Sequence, residues 1–398
     1  MSIFSKWVKK SVLLAAAATV GLTTTAYAQA KPEKFKIGAV LSLSGPYGLL
    51  GEDMRRGVQI AVEERGGTVL GVPIEITWED DETKPQPAVQ KATKLISEGS
   101  HMIFGALSSA STLAIMNVTK QRKIPHLVTI SADDKITVPG GSRYTFRTSN
   151  NLDMENRMAL VYMQEKKLKR IYAVTADYQA TRDGYTWIKS QLDANGIQAV
   201  GEDFPPFGNR DYSSIIDKIA KSNADGVLLM MTGSDVVTFL KQAGQVNLGK
   251  TKVLFGPVAA DDTMVAAVGP AAVGVNSGQR YHYTLENAAN QKFVDAYRKK
   301  FGMFPSMTAG EAYDGMAWWL DTVEKTGSWD KEKWVDAFAT SVRENSVEGK
   351  KTMRACDHQA AQPGFWSEVV QGTPPAPALT MKVTKVFSEE KLFAPCKN

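Results

Sequence analysis

Twice in this chain, apolar runs of strand length alternate with segments whose apolar residues recur at helical spacing. The first series begins after Lys34. Phe35–Leu41 (FKIGAVL) reads as a strand and Gly45-Pro46 as a turn. Met54, Val58, Ala61 and Val62 then share one helix face, which ends near Gly66-Gly67. Val72–Trp78 alternates as a second strand, and Ala88, Val89, Ala92, Leu95 and Ile96 form the next helix face. Met102–Gly105 is a third strand, Ser111–Arg122 a helix and Ile124–Ile130 a fourth strand. The series then restarts. Helices over 153–166, 183–195, 212–222 and 235–243 are interleaved with strands at 170–174, 197–200, 226–230 and 252–255. Further helices fall near 291–301, 309–325 and 331–340, and Leu379–Val383 alternates as a last strand. Two such series predict an α/β chain of two doubly wound, Rossmann-like parallel lobes.

The 398 residues, 43% hydrophobic and 22% charged, supply enough apolar material for two cores. Residues 1–28 stand apart. A basic start (Lys6, Lys9, Lys10), an apolar run and Ala26-Tyr27-Ala28 read as a secretory signal peptide cleaved after Ala28. Gly21 and three threonines interrupt that run, which argues against a membrane anchor. These three lysines, with no acid beside them, supply three of the five units of formal net charge. The exported chain is therefore near neutral, and no nucleic-acid or membrane-surface partner follows from its charge. Export makes a Cys356–Cys396 disulfide the default for the chain's two cysteines, with two buried free thiols as the alternative. The bridge would contribute about 4 kcal/mol by chain entropy. His101, His126, His282 and His358 are scattered, no metal-ligand spacing occurs, and no metal or cofactor is expected.

GQVNLGKT (Gly244–Thr251) fits the phosphate-loop pattern G-x-x-x-x-G-K-[ST]. Such a loop works between a strand and the helix that follows it, where loop and helix N–H groups hold the phosphates. Here a helix precedes it and a strand follows. Gly244 reads as a helix C-cap, Gly249-Lys250 as a turn, and no nucleotide is expected. Neither G-x-G-x-x-G nor G-x-S-x-G occurs, no nucleophile–base pair emerges, and the chain reads as no enzyme.

In open parallel sheets, ligands lie outside the C-terminal strand ends. Ser108, Ser109, Ser111 and Thr112 stand where a strand feeds a helix, suited to a carboxylate, although one of them must cap that helix. Asp133 either accepts from a ligand amine or amide or starts a helical turn. Tyr47 and Leu50 either wall an apolar pocket or cover the helix beside them.

The order and spacing of KIGAVLSLSGPYGLLGEDMRRGVQIAVEE, MIFGALSSASTLAIMNVTKQRKIPHL, YTFRT (Tyr144–Thr148), EAYDGM (Glu311–Met316) and RACDHQ (Arg354–Gln359) resemble type I periplasmic solute-binding proteins of ABC transporters, in their branched-chain amino acid branch. The resemblance covers essentially all of the exported chain. It implies lobes of 31–147 plus about 279–358, and 148–278 plus about 359–398, joined by three crossovers. These would lie near Arg147-Thr148, near Val275–Gln279 and after about His358. It implies ligand contacts at Ser108, Ser109, Ser131, Ala132 and Asp133 in one lobe, and at Tyr178 to Thr181, Thr232 and Val258 in the other. It also implies a periplasmic monomer that hands a small solute to an inner-membrane ABC permease. A sensor of the same fold and an amide- or urea-binding transport protein are the alternatives. Two departures bear on the solute. Leucine-binding relatives carry a glutamate where this chain has Val258 and a threonine where it has Asp133. This points away from leucine, toward a small carboxylate with an aromatic or aliphatic body.

Overall fold

The computed structural model describes residues 31–393. The expected signal peptide, residues 1–28, and Cys396 lie outside the described residues; no free cysteine occurs among those described.

The first series builds β1 (Phe35–Leu41), α1 (Gly48–Glu63), β2 (Thr68–Val69), β3 (Val72–Asp80), α2 (Pro85–Ser97), β4 (Met102–Gly105), α3 (Ser109–Arg122), β5 (His126–Val128) and β6 (Thr145–Arg147). They form one sheet in the order β2-β3-β1-β4-β5-β6, parallel except where β2 folds back on β3. β1 and β4 are buried nearly throughout, as strands with helices on both faces must be.

The second series contains α4 (Leu152–Glu165), β7 (Arg170–Thr175), α5 (Gln179–Leu192), β8 (Gln198–Asp203), α6 (Ser213–Lys221), β9 (Gly226–Met230), α7 (Ser234–Gln245), β10 (Val253–Gly256), α8 (Asp262–Val268) and β11 (Asn276–Gln279). The chain then returns to the first sheet through α9 (Ala288–Phe301), α10 (Met307–Thr326) and α11 (Lys331–Ala339). α10 lies so close along α1 that a Cβ on Gly57 would sit 2.2 Å from the Ala309 carbonyl oxygen. A small sheet follows, made of β12 (Val342–Arg343), β13 (Lys351–Met353) and β14 (Ala360–Ala361). Finally β15 (Gly364–Gln371) and β16 (Leu379–Phe387) add antiparallel strands to the second sheet, before the short α12 (Glu389–Leu392). That sheet runs β16-β15-β11-β10-β9-β7-β8.

The chain passes between the sheets after β6, after β11 and after β14. Buried charge ties these passages together. Arg147 is fully buried; it donates to Gln359 Oε1 at 2.6 Å, to Thr137 Oγ1 at 2.6 Å and to the Asp133 carbonyl at 2.7 Å. Gln359 in turn donates to the Ser149 carbonyl at 2.6 Å. Lys351 Nζ donates to the Thr148 carbonyl and is surrounded by Glu311, Asp314 and Glu348. Cations this deep are tolerated only when paired.

One local reading needs correction. α7 does not stop at Gly244 but continues to Gln245, and Asn247 takes the left-handed position, φ 52°. Gly244 is glycine for another reason: a Cβ there would lie 2.5 Å from Ala271 Cβ. The helix-before, strand-after order around GQVNLGKT is as read from the sequence, since α7 leads into the segment and β10 leaves it.

Candidate functional site

The C-terminal strand ends of the two sheets face a shared cavity with about 720 Å³ of empty volume, part of it open to solvent. The first lobe supplies Tyr47, Leu50, Leu107, Ser109, Ile130 and Ala132 to its wall. The second supplies Tyr178, Thr181, Thr232 and Val258, with Leu229, Met230, Met231 and Met264 around them. The walls are thus mainly aliphatic and thioether, as in sites for apolar ligand bodies.

Of the residues expected from sequence, Tyr47, Leu50, Ser109, Ala132, Tyr178, Thr181, Thr232 and Val258 line this cavity. Ser108, Ser131 and Asp133 are not among its lining residues. Ser108 is the N-cap residue of α3, although its side chain makes no capping bond. Ser131 Oγ is held 2.5 Å from Thr112 Oγ1 and lies 2.9 and 2.8 Å from the carbonyls of Ala106 and Leu107. Asp133 caps a 3-10 turn at 134–136, accepting from Lys135 N at 2.8 Å. Its backbone N–H donates to Ser109 Oγ at 3.2 Å, so Asp133 positions the serine that does reach the cavity.

Two helices, α3 and α5, begin at this cavity without a side-chain capping bond and with no acid in their first turn. Their first backbone N–H groups and dipoles favour an anion. The hydroxyls of Thr181 and Thr232 already have partners. Thr181 Oγ1 donates to the Ala176 carbonyl at 2.5 Å, and Thr232 Oγ1 meets Met264 Sδ at 3.4 Å.

The lobes touch at the cavity's edge. Tyr47 and Tyr178 place their hydroxyls 3.1 Å apart, and the Phe207 ring packs edge-on against both. Burial raises both phenols, Tyr178 to about 12, so each stays protonated at neutral pH. Gly233, φ +64°, leaves room for Tyr47: a Cβ there would lie 2.7 Å from its ring.

Sequence reading missed Glu155 and Arg280. Both line the cavity and are almost wholly buried, at 1% and 3% side-chain exposure. Arg280 Nε donates to Glu155 Oε1 at 2.5 Å, and Nη1 donates to the Ile130 carbonyl. Glu155 stands in the first turn of α4, where an acid is ordinarily just a dipole partner, and Arg280 follows the polar strand β11. Neither carries a local signal of a site. Among the described residues no group of three or more His, Cys, Asp and Glu gathers as for a metal ion, and no helix is long and apolar enough to cross a membrane.

Comparison with known proteins matches residues 34–374 to the family model described as periplasmic binding protein. The Leu/Ile/Val-binding protein homolog 6 of Brucella melitensis is 27% identical over 329 residues, covering 80% of this chain and 82% of that protein. The leucine-, isoleucine-, valine-, threonine-, and alanine-binding protein of Pseudomonas aeruginosa is 25% identical over 342 residues, covering 85% and 89%. Among solved structures, an ABC transporter solute-binding protein from R. palustris, in complex with benzoate, superposes with a TM-score of 0.82. It is 26% identical, and the match covers 89% of this chain and 96% of that one.

Proposed function

The chain belongs to the periplasmic binding protein family, and from that premise we propose that it captures a small carboxylate with an aromatic or aliphatic body between its lobes and delivers it to an inner-membrane ABC permease. Its relatives are solute-binding proteins, and it acts by binding rather than by catalysis. The observation that carries the ligand class is the cavity itself: apolar walls drawn from both lobes, with the uncapped starts of α3 and α5 and the residue Ser109 at it. Those donors suit a carboxylate, and the aliphatic walls suit its body. Val258 offers nothing to an ammonium, and the one acid in the wall, Glu155, is already paired with Arg280. The benzoate complex of the R. palustris relative agrees with this reading; the amino acids named for the P. aeruginosa relative are the competing class.

The same proposal includes export through the 1–28 leader, a Cys356–Cys396 disulfide, lobes divided near residues 147, 279 and 358, and a monomeric working form. Thermal-shift and calorimetric titration with benzoate, aliphatic monoacids and leucine tests the ligand class. Acids should raise the melting temperature and leucine should not. A response to leucine alone would overturn the carboxylate assignment. Loss of uptake of the bound acid on deleting the gene, restored by a plasmid copy, would separate transport from sensing.

A further inference from the structure

The start of α8, from the second lobe, and the start of α10, from the first, meet where the lobes meet, and each lobe brings one buried carboxylate there. Asp53 on α1 takes Thr263 Oγ1 from α8 and, at 2.7 Å, Ser306 Oγ from the start of α10. Asp261, the N-cap of α8, takes Met264 N–H at 2.8 Å, and Thr308 Oγ1 of α10 reaches it at 3.5 Å. The links are reciprocal: the acid of each lobe accepts from a hydroxyl of the other. Asp53 is nearly buried and Asp261 wholly so. Carboxylates buried together need a cation or a proton.

Cations are scarce at this junction. Arg56 on α1 is partly exposed and pairs with Asp53 at 3.0 Å. Asp262 adds a third acid; it takes Thr380 Oγ1 at 2.9 Å and Met381 N–H at 3.1 Å, and His282 Nε2 lies 3.3 Å from it. Tyr297 on α9 faces Asp53 as a phenol that burial keeps protonated. Of the other elements packed against α8, α7 carries Asp235, which holds Tyr212, and the exposed Lys241; β16 carries the exposed Lys382, and Lys385, which is paired with Glu165. Asp261 makes no ion pair among the described residues.

We propose that closure of the lobes takes up a proton at Asp261, so that the protein closes, and holds its ligand, more readily in mildly acidic than in alkaline medium. The proposal rests on the reading of the cavity as a ligand site between lobes, whichever acid fills it. Parting the lobes would withdraw Thr308 and Asp53 from Asp261 and admit water, returning its carboxyl to the ordinary range near pH 4. In the closed form burial, and then the Asp53 and Asp262 charges, hold it up at about 7, against the Met264 N–H, which favours the anion. Between those values the closed form carries a proton that the open form lacks. The advantage to closure is complete below about pH 4 and is lost as pH rises through 7.

Calorimetry on the full exported chain, with benzoate and with leucine in buffers of different ionisation enthalpy, counts that proton. The ligand that binds should bring in close to one proton at pH 6 and almost none at pH 9, and should bind about tenfold or more tighter at pH 5.5 than at pH 8. Asp261→Asn keeps the cap acceptor; it should remove the uptake and bring the affinity ratio below about threefold. If that variant does not fold, the native proton count decides alone. Benzoate binding without proton uptake overturns this inference and leaves the carboxylate reading standing. Uptake that survives Asp261→Asn at unchanged melting temperature overturns the role of Asp261. Binding of leucine alone overturns the carboxylate reading, and its proton count still decides this inference. If neither binds, X-ray scattering by the ligand-free protein decides: a more compact particle at pH 5.5 than at pH 8 supports proton-linked closure, and identical profiles overturn it.

Discussion

Ser109 and Asp261 show how differently two polar side chains near the same cavity are set. Ser109 follows the N-cap of α3, accepts from Asp133 N–H and lines the cavity. Ser109→Ala removes one donor to a buried anion, worth about 1.5–3 kcal/mol. The affinity for a bound acid should fall about tenfold or more by calorimetry, and an unchanged affinity would misplace the carboxylate. Asp261 caps α8, accepting from Met264 N at 2.8 Å, and is fully buried. Burial, and then the nearby Asp53 and Asp262 charges, push its carboxyl up to about 7. The unfolded chain releases that proton near pH 4, so the folded state holds it over a wider range. Stability from this group is therefore greatest below pH 4 and is lost as pH rises through 7. At about 1.4 kcal/mol per pKa unit the effect is a few kcal/mol. Asp261→Asn keeps the cap acceptor and removes the titration. It should melt higher than the native protein at pH 8 and together with it at pH 4; an equal offset at both would disprove the titration. At this scale the sequence was legible where a residue type announces its place, as serines at a helix start do. Glu155 and Arg280 were not, because their meaning comes from meeting across α4 and the end of β11.

Elements were legible when their burial is apolar. β4 and β9 are continuous apolar runs, β1 is broken only by the partly buried Lys36, and the bounds of all three agree with the reading from residues alone. β11 is NSGQ, fully buried yet polar, and a Cβ on its Gly278 would lie 2.2 Å from the Pro257 carbonyl oxygen. Close backbone approach, which hydropathy does not report, makes it a strand. β6 is three residues long, and β15 owes its place to pairing with β11 and β16. The same close approach governs α1 against α10. Gly57→Ala should destabilise the fold by about 1–3 kcal/mol in urea titration, the overpacking cost exceeding the gain in helix propensity. A neutral or stabilising result would mean that α10 can move away from α1. The GQVNLGKT segment gives a contrasting expectation. With α7 before it and β10 after it, Lys250→Ala should leave melting temperature and acid affinity unchanged, and MgATP should shift neither protein. A nucleotide-induced rise in melting temperature that the substitution removes would refute this.

For the whole molecule, affinity depends on contacts between lobes as well as on contacts with ligand. The lobes meet through the Tyr47–Tyr178 hydroxyls, through an exposed Lys135–Asp183 pair, and through Thr263 Oγ1 on α8, which donates to Asp53 on α1. Asp53 is buried and also takes Ser306 Oγ at 2.7 Å and Arg56 Nη1 at 3.0 Å. Thr263 is not among the cavity-lining residues. Thr263→Val therefore removes a bond between lobes without touching the ligand, and Asp53 keeps its two partners within the first lobe. If binding requires the closed form, apparent Kd equals the intrinsic value divided by the closed fraction. One net hydrogen bond to a charged group, about 1.5–3 kcal/mol, bounds the change in closure. Apparent affinity for the same acid should fall several-fold, the ligand-free variant should scatter X-rays as a more open particle, and saturating acid should return it to the native closed profile. Unchanged affinity together with unchanged ligand-free scattering would show that the Asp53–Thr263 bond does not set the equilibrium. A fall in affinity without opening would instead trace the loss to the neighbouring Met264 in the cavity wall.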